Sequence, residues 1–380
     1  MENGNLHIYT AGGACVTSLG MNLEENITNI KAGKSGIHKH EDKNLSAEAF
    51  YGAIINKEKL EKAFNLTAYK GIFTTLEKMF LIALKDVLND YQAYVNEDCG
   101  IIFSMTKGNI DDLSSDSPNY LHDLAQKVSR TIGMKNEAIV LSNACVSGIM
   151  AVSVAKRLIH TGLYKHCLVV GGDIFSRFVF SGFQSFQAVS NEPCKPYDKD
   201  RDGITLGEAA AAIFVSKDKS VFGTKTVYEI VGEGSINDAN HISGPSRTGE
   251  GLFQSVKSAI DEAGIEAKEI DCISSHGTAT MYNDEMEAQA FNRIDLQDIP
   301  VFSLKACYGH TLGAAGLLEA VVSLRFADEN LIPPSFNYKE HGLTLPLNIN
   351  TEVQKKDINY VLKTASGFGG SNTAVIFKKV

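Results

Sequence analysis

Residues 140–156 read VLSNACVSGIMAVSVAK, and the pattern changes from strand to helix within this stretch. The apolar run before Ser142 is typical of a buried strand, and the residues after Gly148 have helical spacing. Gly162 is suited to the end of that helix. Between the two patterns, small residues surround one cysteine, Cys145. A strand that feeds a helix through a tight turn is a unit of α/β proteins, and the stretch therefore predicts that fold class.

The same alternation runs along the chain. Apolar runs such as HCLVVGGD, AAAAIFV, IDCISSHG and YVLKTASG alternate with amphipathic segments, including residues 76–89 and 252–263. Many of the runs are apolar on both faces, as expected of strands that helices cover on both sides. The whole chain is therefore expected to form α/β layers.

Two pairs of segments are similar to each other. AIVLSNACVSG resembles IPVFSLKACYGHTLGAAG, and LGEAAAAIFV resembles FGGSNTAVIFK. The polar segment SKDKSVFGTK, residues 216–225, interrupts the pattern between them. We expect two similar halves, residues 1–222 and 223–380, with chance similarity of Ala- and Gly-rich segments as the alternative.

The composition of the chain is typical of a globular protein and argues against several other classes. The chain has 380 residues, of which 44% are apolar and 21% charged, as in ordinary globular proteins. Its net charge of -9 argues against general nucleic-acid binding. No apolar run approaches the length of a membrane span, and the N-terminal sequence lacks the pattern of a signal peptide. The 7 cysteines are scattered without a CxxC pair, which predicts neither a disulfide framework nor a zinc site and fits a reducing cytoplasm.

The position of Cys145 suits a nucleophile. A cysteine at the start of a helix faces unpaired backbone N–H groups and the positive end of the helix dipole, and both favour the thiolate. We therefore expect the pKa of Cys145 to be lowered, and the small neighbours would let a substrate reach the sulfur. The alternative is a tight turn in the core with a cysteine that serves as a small apolar residue.

Two histidines follow strand-like runs, His276 in DCISSHGTAT and His310 in VFSLKACYGHTLGAAG. A side chain at the carboxyl end of such a strand points into the crevice where α/β proteins bind ligands. With Cys145 they form a possible Cys/His/His site. Lys305 precedes His310 by five residues and could pair with Glu319 in the following helix, although a solvated lysine at the end of a strand is the alternative. His241 could line a cleft.

The glycine-rich loop SGFGGSN covers residues 366–372. Its three glycines permit backbone conformations closed to other residues, so the loop could turn N–H groups towards an oxyanion. A glycine-rich hairpin is the structural alternative.

The ordered motifs SNACVSG, PYDKDRDGITLGEAAAAIFV, SSHGTAT, SLKACYGHTLGAAG and GFGGSN resemble the β-ketoacyl-acyl-carrier-protein synthases of the elongating, Cys-His-His type. The resemblance extends over residues 5–378. It implies a thiolase-like fold, in which two similar halves form an αβαβα layered sandwich. It also implies a decarboxylative Claisen condensation between an acyl thioester and malonyl thioester.

The resemblance assigns a role to each candidate. It implies that Cys145 carries the acyl chain, that His276 and His310 bind the malonyl thioester, and that Lys305 and Glu319 form a supporting ion pair. It implies an oxyanion hole and gate at Cys145, Phe368 and Gly369, and pantetheine contacts at Thr278 and Thr280. Neither a metal nor a bound organic cofactor is implied, since phosphopantetheine arrives on the carrier protein.

Partners follow from the same resemblance. It implies an acyl carrier protein and a dimer, either of identical subunits or with a related, catalytically inactive subunit. Because carrier proteins are acidic, a local basic patch is needed, and Lys195, Lys199 and Arg201 are candidates, with a solvated turn as the favoured alternative. The sequences KACYGHTLGA and Met281-Tyr282 depart from the family's usual pattern. These departures favour secondary metabolism, such as aryl polyene or polyketide-like pathways, over housekeeping fatty-acid synthesis.

Other functions remain alternatives. A degradative thiolase would need a second cysteine in the loop SGFGGSN, and a starter-condensing synthase would have asparagine in place of His310. A Cys-His hydrolase would need a base that activates the thiol and a path for water. The remaining alternative is a non-catalytic or weakly active chain-length partner of a heterodimeric synthase, although such partners lack the nucleophile that Cys145 would supply.

Overall fold

The computed structural model describes residues 7–113, 120–238 and 244–380. Its strands are β1 (Tyr9–Thr10), β2 (Ala14–Thr17), β3 (His38–His40), β4 (Phe50–Ala53), β5 (Cys99–Ser104), β6 (Ile139–Leu141), β7 (His166–Asp173), β8 (Leu206–Gly207), β9 (Ala209–Ser216), β10 (Tyr228–Asn237), β11 (Cys272–Ser274), β12 (Val301–Phe302), β13 (Leu331–Ile332), β14 (Gln354–Lys355), β15 (Tyr360–Ser366) and β16 (Ser371–Lys379).

The helices alternate with these strands, as the sequence predicts. They are α1 (Leu23–Lys31), α2 (Lys57–Asn65), α3 (Thr75–Tyr91), α4 (Leu121–Thr131), α5 (Ser147–His160), α6 (Arg177–Ser185), α7 (Glu250–Ala263), α8 (Met281–Asn292), α9 (Lys305–Tyr308) and α10 (Ala315–Asp328). Gly162 follows α5 in the left-handed region, with φ of 79°, and its N–H bonds to the Ile159 carbonyl, so the predicted end of this helix is confirmed.

Within the described residues, the large sheet has the strand order β12-β11-β15-β16-β10-β1-β9-β7-β5-β6, and β2 also pairs with β9. At one end, β6, β5 and β7 run parallel, β9 is antiparallel to β7, and β2 is antiparallel to β9. At the other end, β12, β11 and β15 run parallel, β16 is antiparallel to β15, and β10 is antiparallel to β16. The two ends therefore repeat one strand order and one set of directions.

Strand β1 joins the two ends into one sheet. It pairs antiparallel with β9 on one side and with β10 on the other. Smaller sheets are formed by β3, β4 and β8 and by β13 and β14.

Helices cover both faces of each end of the sheet. The helix α3 packs on β2, β7 and β9, and α7 packs on β10 and β16. Between the two ends lie α5 and α10, which contact each other and strands of both ends. The apolar residues of these two helices form one buried cluster with the strands. The result is a sandwich of five layers, αβαβα.

The two central helices touch through their backbones. A Cβ atom added at Gly148 would lie 2.6 Å from the Leu317 nitrogen, and one at Gly316 would lie 2.7 Å from the Ile149 nitrogen. Larger residues at these positions would push the helices apart. Because α5 and α10 meet near their N-terminal ends, the residues just before each helix come together, and Cys145 and His310 are among them.

Among the described residues, no helix has both the length and the apolar character needed to cross a membrane.

Candidate active site

Cys145 lies in the turn between β6 and α5, as the sequence predicts. The preceding residue, Ala144, has φ of 44°, a left-handed conformation that costs energy for a residue with a Cβ atom. The hydroxyl of Ser147 braces the turn, since it donates to the Ala144 carbonyl at 2.6 Å and accepts from the Asn143 N–H at 2.8 Å. The turn therefore holds the cysteine in a fixed position before the helix.

The two histidines reach the same place from the other half of the chain. His276 follows β11, and its backbone N–H donates to Glu287 at 2.8 Å. His310 follows the short helix α9, which lies between β12 and the histidine, and its N–H donates to the Thr205 carbonyl at 2.6 Å. The expectation that His310 lies at the carboxyl end of a strand is thus corrected, because the helical turn that begins at Lys305 separates it from β12.

The three side chains converge. Nε2 of His310 lies 3.0 Å from Sγ of Cys145, and the two imidazole rings are 5.2 Å apart between centroids, edge to face. One nitrogen of each ring and the sulfur all lie within 4.8 Å of one another. All three residues are at least nine-tenths buried, so they can act together on one bound group.

Hydrogen bonds fix which ring nitrogens carry protons. The Leu312 N–H donates to Nδ1 of His310 at 3.2 Å, and the Lys305 ammonium lies 3.5 Å from Nδ1 of His276. A nitrogen that accepts a hydrogen bond carries no proton, so in both neutral rings the proton is on Nε2. Burial and the charges of Lys305 and Lys363 lower the pKa of both imidazoles well below the ordinary value, which keeps them neutral. The site thus offers two neutral N–H donors.

Lys305 and Glu319 form the predicted ion pair, with both side chains almost fully buried. The sequence analysis missed a second lysine at this pair. Lys363 on β15 has no exposed surface, and its Nζ lies 2.7 Å from the other carboxylate oxygen of Glu319. The only signal in the sequence is a single lysine within the apolar run YVLKTAS.

A buried polar network that the sequence analysis also missed holds the loop around His276. Both oxygens of Glu287 accept backbone N–H groups, from His276 at 2.8 Å and Gly277 at 2.7 Å. The Tyr197 hydroxyl donates to Glu287 at 2.9 Å, and Asp284 accepts from the Thr278 N–H at 2.9 Å. Burial raises the pKa of Glu287 to about 7. These groups position the loop without lying at the reacting atoms.

The glycine-rich loop lies beside the cysteine. The Phe368 backbone N–H donates towards the Cys145 sulfur, and the Phe368 ring, 38% exposed, lies against Phe183 and Phe186 with centroids 5.6 and 5.8 Å away. Gly369 has a left-handed backbone, with φ of 87°, but it is not among the residues that line the cavity beside Cys145. Phe368 therefore lines the cavity beside Cys145, whereas Gly369 does not.

A cavity of about 290 Å³ leads to the three converging side chains. Its walls are mainly apolar and aromatic, with Thr278 and Thr280 among the polar residues. Their hydroxyl groups lie 2.9 Å apart, and Thr280 also caps helix α8. The two threonines are thus placed where a polar chain entering the cavity could contact them.

The expected low pKa of Cys145 is wrong. Burial raises the pKa of this thiol to about 11, and the charge of Lys305 and the Phe368 N–H lower it only in part. The helix begins at Ser147, after the cysteine, so the N–H groups of its first turn compensate less than the sequence suggests.

The pH dependence of alkylation tests this correction. Because the thiolate is the nucleophile, the rate of Cys145 modification by iodoacetamide should rise about tenfold per pH unit between about pH 7 and pH 10. Peptide mass spectrometry at each pH measures the rate at this cysteine alone. A plateau near pH 9, as for an ordinary cysteine, would contradict the raised pKa.

Cys145, His276 and His310 form the one group among the described residues whose ligand atoms are close enough to share a metal ion. The Lys305 ammonium against His276 and the buried Lys363 place positive charge beside this group. That charge disfavours a bound cation, so the donor set does not fit a metal site well.

The basic residues proposed for carrier docking are engaged in other contacts. Lys195 pairs with Glu192 at 2.7 Å and Lys199 pairs with Glu340 at 3.0 Å. Arg201 is 4% exposed and donates to the Gly342 carbonyl at 2.6 Å, so its prediction as a surface docking residue is wrong. His241 lies outside the described residues.

Two family descriptions match the chain. "Beta-ketoacyl synthase, N-terminal domain" matches residues 100–220, and "Beta-ketoacyl synthase, C-terminal domain" matches residues 227–339. Among curated proteins, "3-oxoacyl-[acyl-carrier-protein] synthase 2" of Rhizobium meliloti is 34% identical over 259 residues, which cover 64% of this chain and 61% of that protein. The protein of the same name from Vibrio cholerae is 31% identical over 273 residues, covering 68% and 66%. The chain therefore spans less than two thirds of the length of these relatives.

Solved structures match over nearly the full length. A ketosynthase (ApeO) in complex with its chain length factor (ApeC) from Xenorhabdus doucetiae is 26% identical, with a TM-score of 0.84 and 98% of both chains covered. A beta-ketoacyl synthase from Burkholderia phymatum is also 26% identical, with a TM-score of 0.86 and coverage of 98% and 99%. These likenesses confirm the thiolase-like fold, and with the two domain matches they show that the chain belongs to the beta-ketoacyl synthase family.

Proposed function

We propose that this protein is a β-ketoacyl-acyl-carrier-protein synthase, an acyltransferase that condenses an acyl thioester with malonyl-acyl carrier protein. The observation that carries the proposal is the convergence of the Cys145 sulfur with the His276 and His310 imidazoles at one cavity. The family supports the reaction class, and the buried, neutral N–H donors support the decarboxylation step.

The first step transfers an acyl chain to the protein. Sγ of Cys145 attacks the carbonyl carbon of the acyl thioester, and the pantetheine sulfur leaves with the proton that Cys145 gives up. The negative oxygen of the intermediate accepts hydrogen bonds from the backbone N–H groups of Cys145 and Phe368. The product is an acyl chain held on Cys145 as a thioester.

The second step uses the histidines. The thioester oxygen of the malonyl group accepts hydrogen bonds from Nε2–H of His276 and of His310. The bond between the carboxylate carbon and the neighbouring carbon breaks, and CO₂ leaves. The electron pair of the broken bond stays on the thioester fragment, which becomes an enolate. The enolate carbon attacks the acyl group on Cys145, the carbon–sulfur bond breaks, and the sulfur leaves as thiolate, which takes up a proton from solvent to restore the thiol.

The remaining candidates have supporting roles in this proposal. Lys305, held by Glu319, keeps His276 in its donor tautomer. Thr278 and Thr280 contact the phosphopantetheine arm, which the carrier protein delivers, and Phe368 controls entry to the acyl pocket. The seven free cysteines suit a reducing, cytoplasmic setting.

We also propose that the chain consists of two similar halves, residues 1–222 and 223–380. Each half contributes one copy of the repeated strand order, and the site lies between them, with Cys145 from the first half and His276, Lys305 and His310 from the second. The partners are an acyl carrier protein and a second synthase subunit, identical or related. A chain length factor accompanies one of the similar ketosynthases, and this supports the second arrangement.

The experiment measures both half-reactions on the purified protein. We expect intact-protein mass spectrometry to show addition of one acyl group from an acyl-carrier thioester. Subsequent malonyl-carrier protein should release CO₂ and yield a β-ketoacyl product. Carrier binding without acylation or product would contradict the proposal and indicate a non-catalytic chain-length partner.

A further inference from the structure

Lys363 is a buried cation near the site that takes no direct part in the proposed transfer steps. Its Nζ donates to the carbonyl oxygens of Ser274 at 3.1 Å, Ser275 at 3.2 Å and Thr364 at 2.7 Å. The fourth neighbour is the Glu319 carboxylate at 2.7 Å. Four acceptors and no donor surround this nitrogen among the contacts that the structure gives, an arrangement that suits a charged ammonium with three N–H groups.

These contacts connect Lys363 to His276 along two routes. The first passes through the backbone, because Ser274 and Ser275 are the two residues directly before His276. The second passes through side chains, since Glu319 binds Lys363 with one oxygen and Lys305 with the other, and Lys305 lies against Nδ1 of His276. Removal of Lys363 would loosen both routes at once.

We propose that Lys363 is a positioning residue that fixes Glu319 and the backbone before His276, so that Lys305 stays at Nδ1 of His276 and the imidazole presents Nε2–H to the cavity. This inference rests on the proposed function for its effect on the reaction. Its effect on the imidazole itself does not depend on that function.

The net charge beside His276 determines how readily its imidazole binds a proton, and this proton binding can be measured. Burial lowers the pKa of Lys363, whereas the Glu319 carboxylate and the carbonyl oxygens around Nζ stabilise the ammonium. With Lys363 charged, the cluster of Lys305, Lys363 and Glu319 has a net charge of about +1 beside His276. Replacing Lys363 with an apolar residue lowers that charge to zero, and His276 should then bind a proton more readily.

The other titratable groups beside the His276 ring are Cys145 and His310. Glu287 accepts the His276 backbone N–H, and Tyr197 and Asp284 hold the same loop through Glu287 and the Thr278 N–H. These groups stay unchanged in the variant.

The main test is an NMR titration of histidine-labelled protein, with His276→Gln to assign its signal. Lys363→Met should raise the pKa of the His276 imidazole, whereas Lys156→Met should not. Lys156 is a matched control, because it is a mostly buried lysine of α5 that pairs with Glu262 of α7, outside the site. An unchanged pKa in Lys363→Met would overturn the inference. If that variant does not fold, Lys363→Gln keeps a donor near the carbonyls and removes the charge, and the same outcomes apply.

Kinetics give the second readout. Lys363→Met should slow malonyl decarboxylation about tenfold or more, while Cys145 is still acylated to the same extent. The loss of decarboxylation rate at low pH should also begin at a higher pH than in the wild type. An equal loss of acylation and decarboxylation would assign Lys363 a merely structural role and overturn the inference. A wild-type protein without decarboxylation would contradict the proposed function alone, since the titration of His276 still tests Lys363.

Discussion

Cys145→Ala is expected to abolish acylation of the protein and the condensation that depends on it. Alanine has no sulfur to form the thioester, the six other cysteines are buried, and Cys145 is the cysteine that shares a group with both histidines. The loss in condensation rate should be at least about 10⁴-fold, the scale for removal of a covalent nucleophile. Intact-protein mass spectrometry with an acyl-carrier thioester measures the first step, and product analysis measures the second.

A companion variant separates loss of the nucleophile from loss of the site. Cys145→Gln should still decarboxylate malonyl-carrier protein, and faster than the wild type does without an acyl donor, because the side-chain amide mimics an acylated cysteine. Circular dichroism should show both variants folded with similar melting temperatures. Condensation that persists in Cys145→Ala would end the assignment of the nucleophile, and slower decarboxylation in Cys145→Gln would count against the roles of the histidines.

His310→Ala is expected to lose decarboxylation while Cys145 continues to accept an acyl chain. The substitution removes one of two N–H donors to the enolate oxygen, a loss of about 10²–10³-fold in rate. The backbone N–H groups of Cys145 and Phe368, which we propose to stabilise the oxyanion of acyl transfer, remain. Release of CO₂ from malonyl-carrier protein and the mass of the acylated protein report the two steps separately.

His160→Ala is the matched control for this variant. His160 lies at the exposed C-terminal end of α5, so its removal should leave both steps unchanged. If His310→Ala lost acylation to the same degree as decarboxylation, the imidazole would belong to the first step, as a partner of the sulfur 3.0 Å away.

Local patterns in the sequence were sufficient to predict much of the fold and the site. Strand and helix periodicity predicted the α/β layers, and the small residues around Cys145 predicted its turn. His276 and His310 were identified because both follow strand-like runs. These features depend on neighbouring residues along the chain, which is why a single sequence reveals them.

Features that depend on contacts between distant segments were missed. Lys363 meets Glu319 and the residues before His276 only because β15 lies beside β11. The pKa of Cys145 depends on burial by both halves, which outweighs the favourable contacts around the sulfur. Arg201 looked like a surface residue in a charged segment, yet the loop that carries Gly342 buries it. The deciding neighbours of Lys363 lie between 44 and 89 residues away in the sequence, and Gly342 lies 141 residues from Arg201. For Cys145 the deciding factor is burial in the packed core.

Strand β1 contains only Tyr9 and Thr10, yet its hydrogen bonds to β9 and β10 connect the two ends of the large sheet. Its partners β9 and β10 come from opposite halves, and no other strand in the described part of the chain bridges them. Trimming the amino terminus past Thr10 would therefore interrupt the hydrogen bonding of the large sheet at its centre rather than at an edge. A segment far in sequence from every reacting atom thus bears on whether the sulfur and the imidazoles stay aligned.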